Sequence, residues 1–264
     1  GLGIAGAAAA TLIAQMISSL FCLYHIRKIE LLSFTPSDFR MTGRQLPLRL
    51  LMLGFPMAFQ NAIISVGGMI VQFVVNGFGV IFIAGFTATN KLYGVLEVAA
   101  TSYGYSMVTY AGQNLGAGRT DRIRKGVKSA ILIALLTSLV IAILMLFGGK
   151  IILSWFISGT PEEFEQTLKI AYSYLAIMSV CLPILYTLHI TRSAIQGMGN
   201  TVLPLVSGIA EFIMRAVTAI FLPMLIGENG IFYAEIMAWT GATVILVISY
   251  FAVIRKMERM LRRY

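Results

Sequence analysis

The sequence predicts an all-α, polytopic membrane protein with seven transmembrane helices, and three observations carry that prediction. Hydrophobic residues make up 58% of the 264 positions and charged residues only 12%, with a mean hydropathy of +0.85. A water-soluble domain of this length has too much surface to hide that much apolar side chain, whereas lipid accepts it on the outside. Seven apolar runs have the length of about 20 residues that crosses a bilayer as helix. Positive charge collects at alternate ends of those runs. Arg27, Lys28, Arg40, Arg44 and Arg49 lie between the first and second, and Arg119, Arg122, Arg124, Lys125 and Lys128 between the third and fourth. Arg255, Lys256, Arg259, Arg262 and Arg263 follow the seventh. The positive-inside rule then places these segments, and the C-terminus, in the cytoplasm.

The first run, Leu2–Tyr24, ends in the cytoplasm near Arg27. The chain opens on Gly1 rather than Met and enters this run at once, so it reads as a fragment that begins at or inside a helix. Residues 27–46, with Ser33, Thr35, Pro36, Ser37 and Asp38, form the only long polar connection and mark a boundary between two bundles. The second run, Pro47–Asn76, leaves the cytoplasm, and a neutral turn at Gly77–Gly79 leads to the third, Val80–Tyr110, which returns. Val127–Phe147 leaves again, and an acidic linker with Glu162, Glu163 and Glu165 precedes Leu168–Ile190. Val202–Ile226 and Ile231–Ile254 complete the set, joined near Glu228. Strands fit poorly, because the runs are long, do not alternate, and are rich in the helix formers Ala, Leu and Met.

Composition also removes several classes of function. The net charge of +9 is segregated to one set of loops, which suits an anionic cytoplasmic leaflet and not nucleic acid. Cys22 and Cys181 lie in apolar runs and are read as buried, reduced thiols, and His25 and His189 are dispersed. No HExxH, CxxC, GxSxG or GxxxxGK[ST] pattern occurs, so neither an enzyme nor a metal or nucleotide cofactor is expected.

Charges at membrane depth need a partner or a wet cavity, which singles out Lys91, Glu97, Glu211 and Arg215. Glu211 and Arg215 are four apart and are read as an internal ion pair. Lys91 and Glu97 fall on opposite sides of their helix, so each needs a partner elsewhere. Glu97 has two readings: it faces a cavity and meets a substrate or ion, or it makes a structural bond to another helix. The second helix carries Gln60, Asn61, Ser65, Gln72 and Asn76, amides that either glue helices or line a cavity. Gln60 and Asn76, sixteen residues apart, are read as one polar strip, with Asn90 and Tyr93 of the third helix as further cavity wall. Arg192 is read as snorkelling to the cytoplasmic face. Pro56, Pro183, Pro204 and Pro223 predict kinks.

At Gly112-Gln113-Asn114-Leu115-Gly116-Ala117-Gly118-Arg119 the glycines close a helix, and Gln113 and Asn114 satisfy its last carbonyls. Thr120 or Asp121 is expected to cap the next helix. Gly112 and Gly116 have the spacing of a close helix contact.

These residues also carry a resemblance. Leu53-Gly54-Phe55-Pro56-Met57-Ala58-Phe59-Gln60, Val75-Asn76-Gly77-Phe78-Gly79, Ile83-Ala84-Gly85-Phe86-Thr87-Ala88, the Gly112–Arg119 turn, Gln196-Gly197-Met198-Gly199-Asn200-Thr201, and Glu211 with Arg215 follow one another. In that order and spacing the chain resembles the C-terminal lobe of a MATE (multidrug and toxic compound extrusion) transporter. The resemblance implies that residues 1–26 are the last helix of an N-terminal lobe and 27–46 a cytoplasmic inter-lobe linker. Residues 47–255 would be the six-helix C-terminal lobe and 256–264 a basic cytoplasmic tail. It further implies a xenobiotic antiporter of the bacterial inner membrane, driven by H⁺ or Na⁺, with two lobes that rock about a central cavity. Small organic, cationic compounds would be its substrates, and the rest of the N-terminal lobe its missing partner. Some branches place acids on the helices matching Gly54–Gly77 and Leu168–Arg192. None is present there, so the coupling acid is expected in the missing half, with Glu97 secondary. Two other readings stay open: a flippase for lipid-linked oligosaccharide or polysaccharide, and a scaffold that transports nothing.

Overall fold

The computed structural model describes residues 3–29 and 45–261. Among the described residues there are seven α-helices: α1 (Gly3–Ile26), α2 (Gln45–Val75), α3 (Val80–Gly116), α4 (Thr120–Ser154), α5 (Pro161–Gly197), α6 (Val202–Ile226) and α7 (Tyr233–Leu261), with a 3₁₀ turn, Glu228–Phe232, before the last. No strand occurs among the described residues. Most of the connection 27–46, Arg40 and Arg44 included, lies outside the described residues, as do Arg262 and Arg263. Two compact units result, Gly1–Leu51 and Met52–Tyr264. The first contains α1, which ends in a turn where the Lys28 amide donates to the His25 carbonyl at 3.0 Å. Everything that follows concerns the second unit.

Six of the helices are long and apolar enough to cross a membrane, and α3 is not among them. The helices also outrun the apolar stretches that predict them. The fourth begins at Thr120 and the fifth at Pro161, while the third continues to Gly116. An apolar run measures the thickness of the hydrocarbon layer, and a helix continues beyond it into the polar interface. Bands of exposed apolar side chains remain on the outside, for example Leu132, Leu136, Val140, Leu144 and Phe147 along α4. Water would not tolerate such a band, and lipid does. This is an integral membrane protein. Cys22 and Cys181 are free, but Cys22 is exposed and Cys181 half-buried, so the fully buried state expected of them is not found.

The centre of the second unit is a seam between α3 and α5. These helices run parallel, with Gly85 beside Thr167, Thr89 donating to the Ala171 carbonyl at 2.8 Å, and Gly104 beside Ser193. Small side chains set the approach: a Cβ at Gly197 would stand 2.5 Å from the Val108 carbonyl oxygen, and one at Gly104 2.8 Å from Ser193 Oγ. Without water to drive apolar surfaces together, membrane helices associate through such close packing. Gly112 belongs to this seam, lying near the Gly197 carbonyl, but Gly116 meets nothing within 4 Å, so the expected Gly112–Gly116 pair acts through its first member only. Toward the N-terminal ends of α3 and α5, Phe86, Tyr174, Phe232 and Phe82 stack in sequence at centroid spacings of 4.8, 4.9 and 5.6 Å.

The turns explain the helix ends. Gly118 takes φ +69°, so the Arg119 amide reaches back to the Asn114 carbonyl at 2.8 Å, and Asn114 Nδ2 bonds the Tyr110 carbonyl at 2.8 Å. Neither Thr120 nor Asp121 caps α4. The N-cap is Arg119, whose guanidinium holds Asp121 by two bonds of 3.1 and 3.2 Å, so the carboxylate is engaged by a cation. At α5, Thr160 and Glu163 form a capping box ahead of Pro161.

Gly197→Ala should lower the thermal stability of the purified protein in detergent, by the roughly 1–3 kcal/mol typical of overpacking, because a backbone carbonyl cannot yield. Gly148, on α4, has open space at its Cβ position, and Gly148→Ala should be neutral or stabilising.

Candidate functional site

Three helices, α2, α3 and α5, bring polar residues together toward the C-terminal ends of α3 and α5. On α5, His189, Arg192, Ser193 and Gln196 recur at intervals of three and four and therefore share a face. With Met57, Gln60 and Asn61 of α2 and Thr101, Gly104 and Tyr105 of α3 they line a cavity of about 240 Å³. Gln60 is 2% exposed, and its Oε1 accepts from Gln196 Nε2 at 3.4 Å. Its backbone neighbour is Gly208 of α6, where an added Cβ would sit 2.6 Å from Gln60 Cγ. Gln60 Nε2 and Arg192 Nε are buried donors without a bond to protein. Polar groups removed from water are normally satisfied, so these two call for an acceptor such as a water or a ligand oxygen.

Behind the cavity lies a network of charges. Arg192 Nη2 donates to Glu211 Oε2, and Arg215 Nη2 donates to Glu211 Oε1 at 3.0 Å and to Glu235 Oε2 at 2.8 Å. Arg215 Nη1 also reaches the Ile64 carbonyl of α2 at 3.2 Å, passing close to Gly67. The pairing of Glu211 with Arg215 agrees with its four-residue spacing, and Arg192 and Glu235 double it into a neutral group of two cations and two carboxylates. Arg192 therefore does not snorkel: its side chain is 12% exposed and turned inward onto Glu211. Burying four charges costs several kcal/mol each unless every one is paired, and the network meets that condition.

Glu97 has a partner that spacing did not suggest. Its Oε1 stands 3.8 Å from His189 Nε2, across the α3–α5 seam, and its side chain is 37% exposed. His189 thus touches both the cavity and Glu97. Asn90 is half-buried, and the Tyr93 ring stacks on Trp239 of α7 with centroids 5.7 Å apart. Lys91 is exposed. Gln72 and Asn76 bond each other at 2.8 Å, both exposed, near the other end of α2. The strip joining Gln60 to Asn76 does not form: sixteen residues are about 4.4 turns, so the two side chains point nearly opposite ways. Gln60 and Asn61 share the cavity, whereas Gln72, Asn76, Asn90, Tyr93 and Glu97 do not line it. Among the described residues no group of three or more His, Cys, Asp and Glu side chains is placed to hold a metal ion.

His189, Arg192 and Glu235 were not assigned to this site from sequence. The stripe of His189, Arg192 and Gln196 on an apolar helix was a readable signal for the first two. Glu235 carried the signal of a charge inside an apolar run, Ile231–Ile254, but spacing could not name its partner, which lies twenty residues away on another helix.

Comparison with known proteins bears on this arrangement. A family model described as MatE matches residues 56–221. A Bacillus subtilis protein named "Probable multidrug resistance protein YpnP" is 34% identical over 122 residues, 46% of this chain and 27% of its own length. A second from that organism, "Probable multidrug resistance protein YoeA", is 26% identical over 215 residues, 79% of this chain and 44% of its own length. The chain thus spans less than half the length of these two relatives. Among solved structures, a MOP superfamily transporter from Pyrococcus furiosus superposes with a TM-score of 0.87 at 19% identity, covering 98% of this chain and 58% of that one. A MATE in complex with MaL6 gives 0.84 at 18% identity, with the same coverages. Both share the fold.

Arg215→Leu leaves Glu211 and Glu235 in one dry pocket with less countercharge, and should cost on the order of 3–5 kcal/mol, read as a large fall in detergent melting temperature. Glu235→Gln should cost clearly less, because the amide oxygen can still accept from Arg215 and Glu211 still bonds both guanidinium groups.

Proposed function

Because the chain belongs to the MatE family, we propose that it forms the C-terminal six-helix lobe of a secondary active exporter, preceded by the last helix of an N-terminal lobe. The transporter moves small organic, mostly cationic compounds outward against inward H⁺ or Na⁺, and its two lobes rock about a central cavity. The observation that carries the reading is the polar cavity between α2, α3 and α5 within a lipid-exposed bundle, flanked by Glu97. An aqueous pocket with a carboxylate at its edge, inside an otherwise apolar unit, suits passage of a polar solute. The names of the two Bacillus subtilis relatives agree with multidrug export. Residues 27–46 serve as the inter-lobe linker in this reading.

Glu97 acts as a secondary site, with His189 as its partner, and the acid that couples ion to substrate lies in the N-terminal lobe. Gln60, Asn61, Gln72, Asn76, Asn90 and Tyr93 contribute to the substrate path in one or other state of the lobe. A flippase for pyrophosphate-linked saccharides is less well supported, since it needs free cations in the cavity. Arg192 and Arg215 are both neutralised by Glu211 and Glu235. Membrane orientation follows the basic ends: the start of α4 and the stretch of α7 from Val247 to Phe251 line a shared cavity, so both basic segments leave the bundle at one end, taken as the cytoplasmic one.

Two measurements test the proposal. In proteoliposomes of the full-length protein, an imposed H⁺ or Na⁺ gradient should drive uptake or release of a fluorescent organic cation. Glu97→Gln at equal protein content should reduce that flux roughly tenfold, the equivalent of about 1.4 kcal/mol of lost contact. Undiminished flux across pH would remove Glu97 from the path, and no gradient-driven flux with any cation would sink the export reading. In intact bacterial cells, cysteines placed at Lys125 and Arg259 should both resist an impermeant thiol reagent, and one at Glu162 should react.

A further inference from the structure

At the end of the second unit where the basic segments gather, α4, α5 and α7 enclose a concave space of about 640 Å³, larger than the cavity beside Gln60. Its wall has two layers of different chemistry. Arg124, Lys125 and Lys128 stand along the first turns of α4, all exposed. Below them Val127, Ile131, Val247, Tyr250 and Phe251 make an apolar and aromatic floor, with Thr191 of α5 between. Among the described residues that line it, Asp121 is the one carboxylate, and Arg119 already holds it by two bonds. The pocket therefore carries an excess of positive charge at the level where α4 enters the interface.

We propose that this pocket binds the headgroup of an anionic phospholipid, with a phosphate between Lys125 and Lys128 and the upper acyl chain over Phe251 and Ile131. Three features point to that occupant. A cationic rim on an apolar floor matches the order of groups along a lipid, phosphate outside and methylenes inside. The cations come from consecutive turns of one helix, so a single phosphodiester meets more than one of them. Phe251 in the floor is itself 49% exposed, and Leu132, the residue after Ile131, begins the band of exposed apolar side chains that runs on through Leu136 along α4. Basic pockets between membrane helices on the cytoplasmic side are suited to such headgroups. A bound lipid would tie the start of α4 to the stretch of α7 from Val247 to Phe251, elements that otherwise meet little.

The test uses the full-length protein in a neutral detergent, titrated with phosphatidylglycerol or phosphatidylcholine and read by native mass spectrometry. At least one phosphatidylglycerol should be retained roughly tenfold more tightly than phosphatidylcholine. Lys125→Gln with Lys128→Gln should abolish that preference, and Lys125→Arg with Lys128→Arg should keep it. Lys150→Gln with Lys169→Gln, the same charge change at the opposite end, should leave it intact. Equal retention of both lipids, or equal loss in the distant pair, would overturn the proposal. So would full displacement of phosphatidylglycerol by an equimolar amount of glycerol 3-phosphate, which would make the pocket a site for a soluble phosphate ester. If the Gln pair is not monodisperse, Lys125→Gln alone should weaken the preference and Lys150→Gln alone should not, and equal effects of the two would overturn the proposal.

Discussion

One guanidinium ties together four of the helices. Arg215 of α6 bonds Glu211 on its own helix, Glu235 on α7 and the Ile64 carbonyl on α2, and Glu211 carries the chain of contacts on to Arg192 of α5. In hydrocarbon each of these charges alone would be prohibitive, so each fixes the position of the others. Gly67 gives the guanidinium its place beside α2, and Gly208 gives Gln60 its place beside α6. The polar cavity stands on this frame, since Arg192 belongs to both.

The α3–α5 seam makes the second half of the frame. It is built from absence of side chain, with Gly85, Gly104 and Gly197 letting backbones approach, and with Thr89 and Tyr186 bonding across to carbonyls of the other helix. Close packing also explains why α3 is polar for a membrane helix. It is the helix that turns Glu97 toward His189, Tyr103 toward Thr137 of α4 at 2.8 Å and Gly104 toward the cavity, so much of its surface meets protein and not lipid.

Much of this was legible in the sequence, and the failures have definite causes. Helix number and order follow from runs of about 20 apolar residues, a constraint the bilayer imposes locally. Glu211 with Arg215 was legible because four residues bring side chains onto one helical face. Glu235 and the inward turn of Arg192 were not, because pairing between helices depends on tertiary packing that no local spacing encodes. The strip from Gln60 to Asn76 was misread through a count of turns that does not close. Asp121 as a cap was misread because α4 starts two residues earlier than such a cap requires, with Arg119 as the N-cap and Asp121 inside the first turn, where the Arg119 guanidinium holds it.

The glycine seam also limits how the unit is able to deform. Two helices in contact backbone to backbone cannot slide by one turn, since that would drive Ile170 and Val108 into positions only hydrogen occupies. They travel as a single stiff blade. Pro183 interrupts the ladder of α5 partway along this blade, and Thr187 Oγ1 bonds its carbonyl at 2.8 Å, so any bend is confined to the stretch just before His189. A tilt of the blade would thus reach His189 and Arg192 together, altering the width of the cavity they border and not its chemical lining.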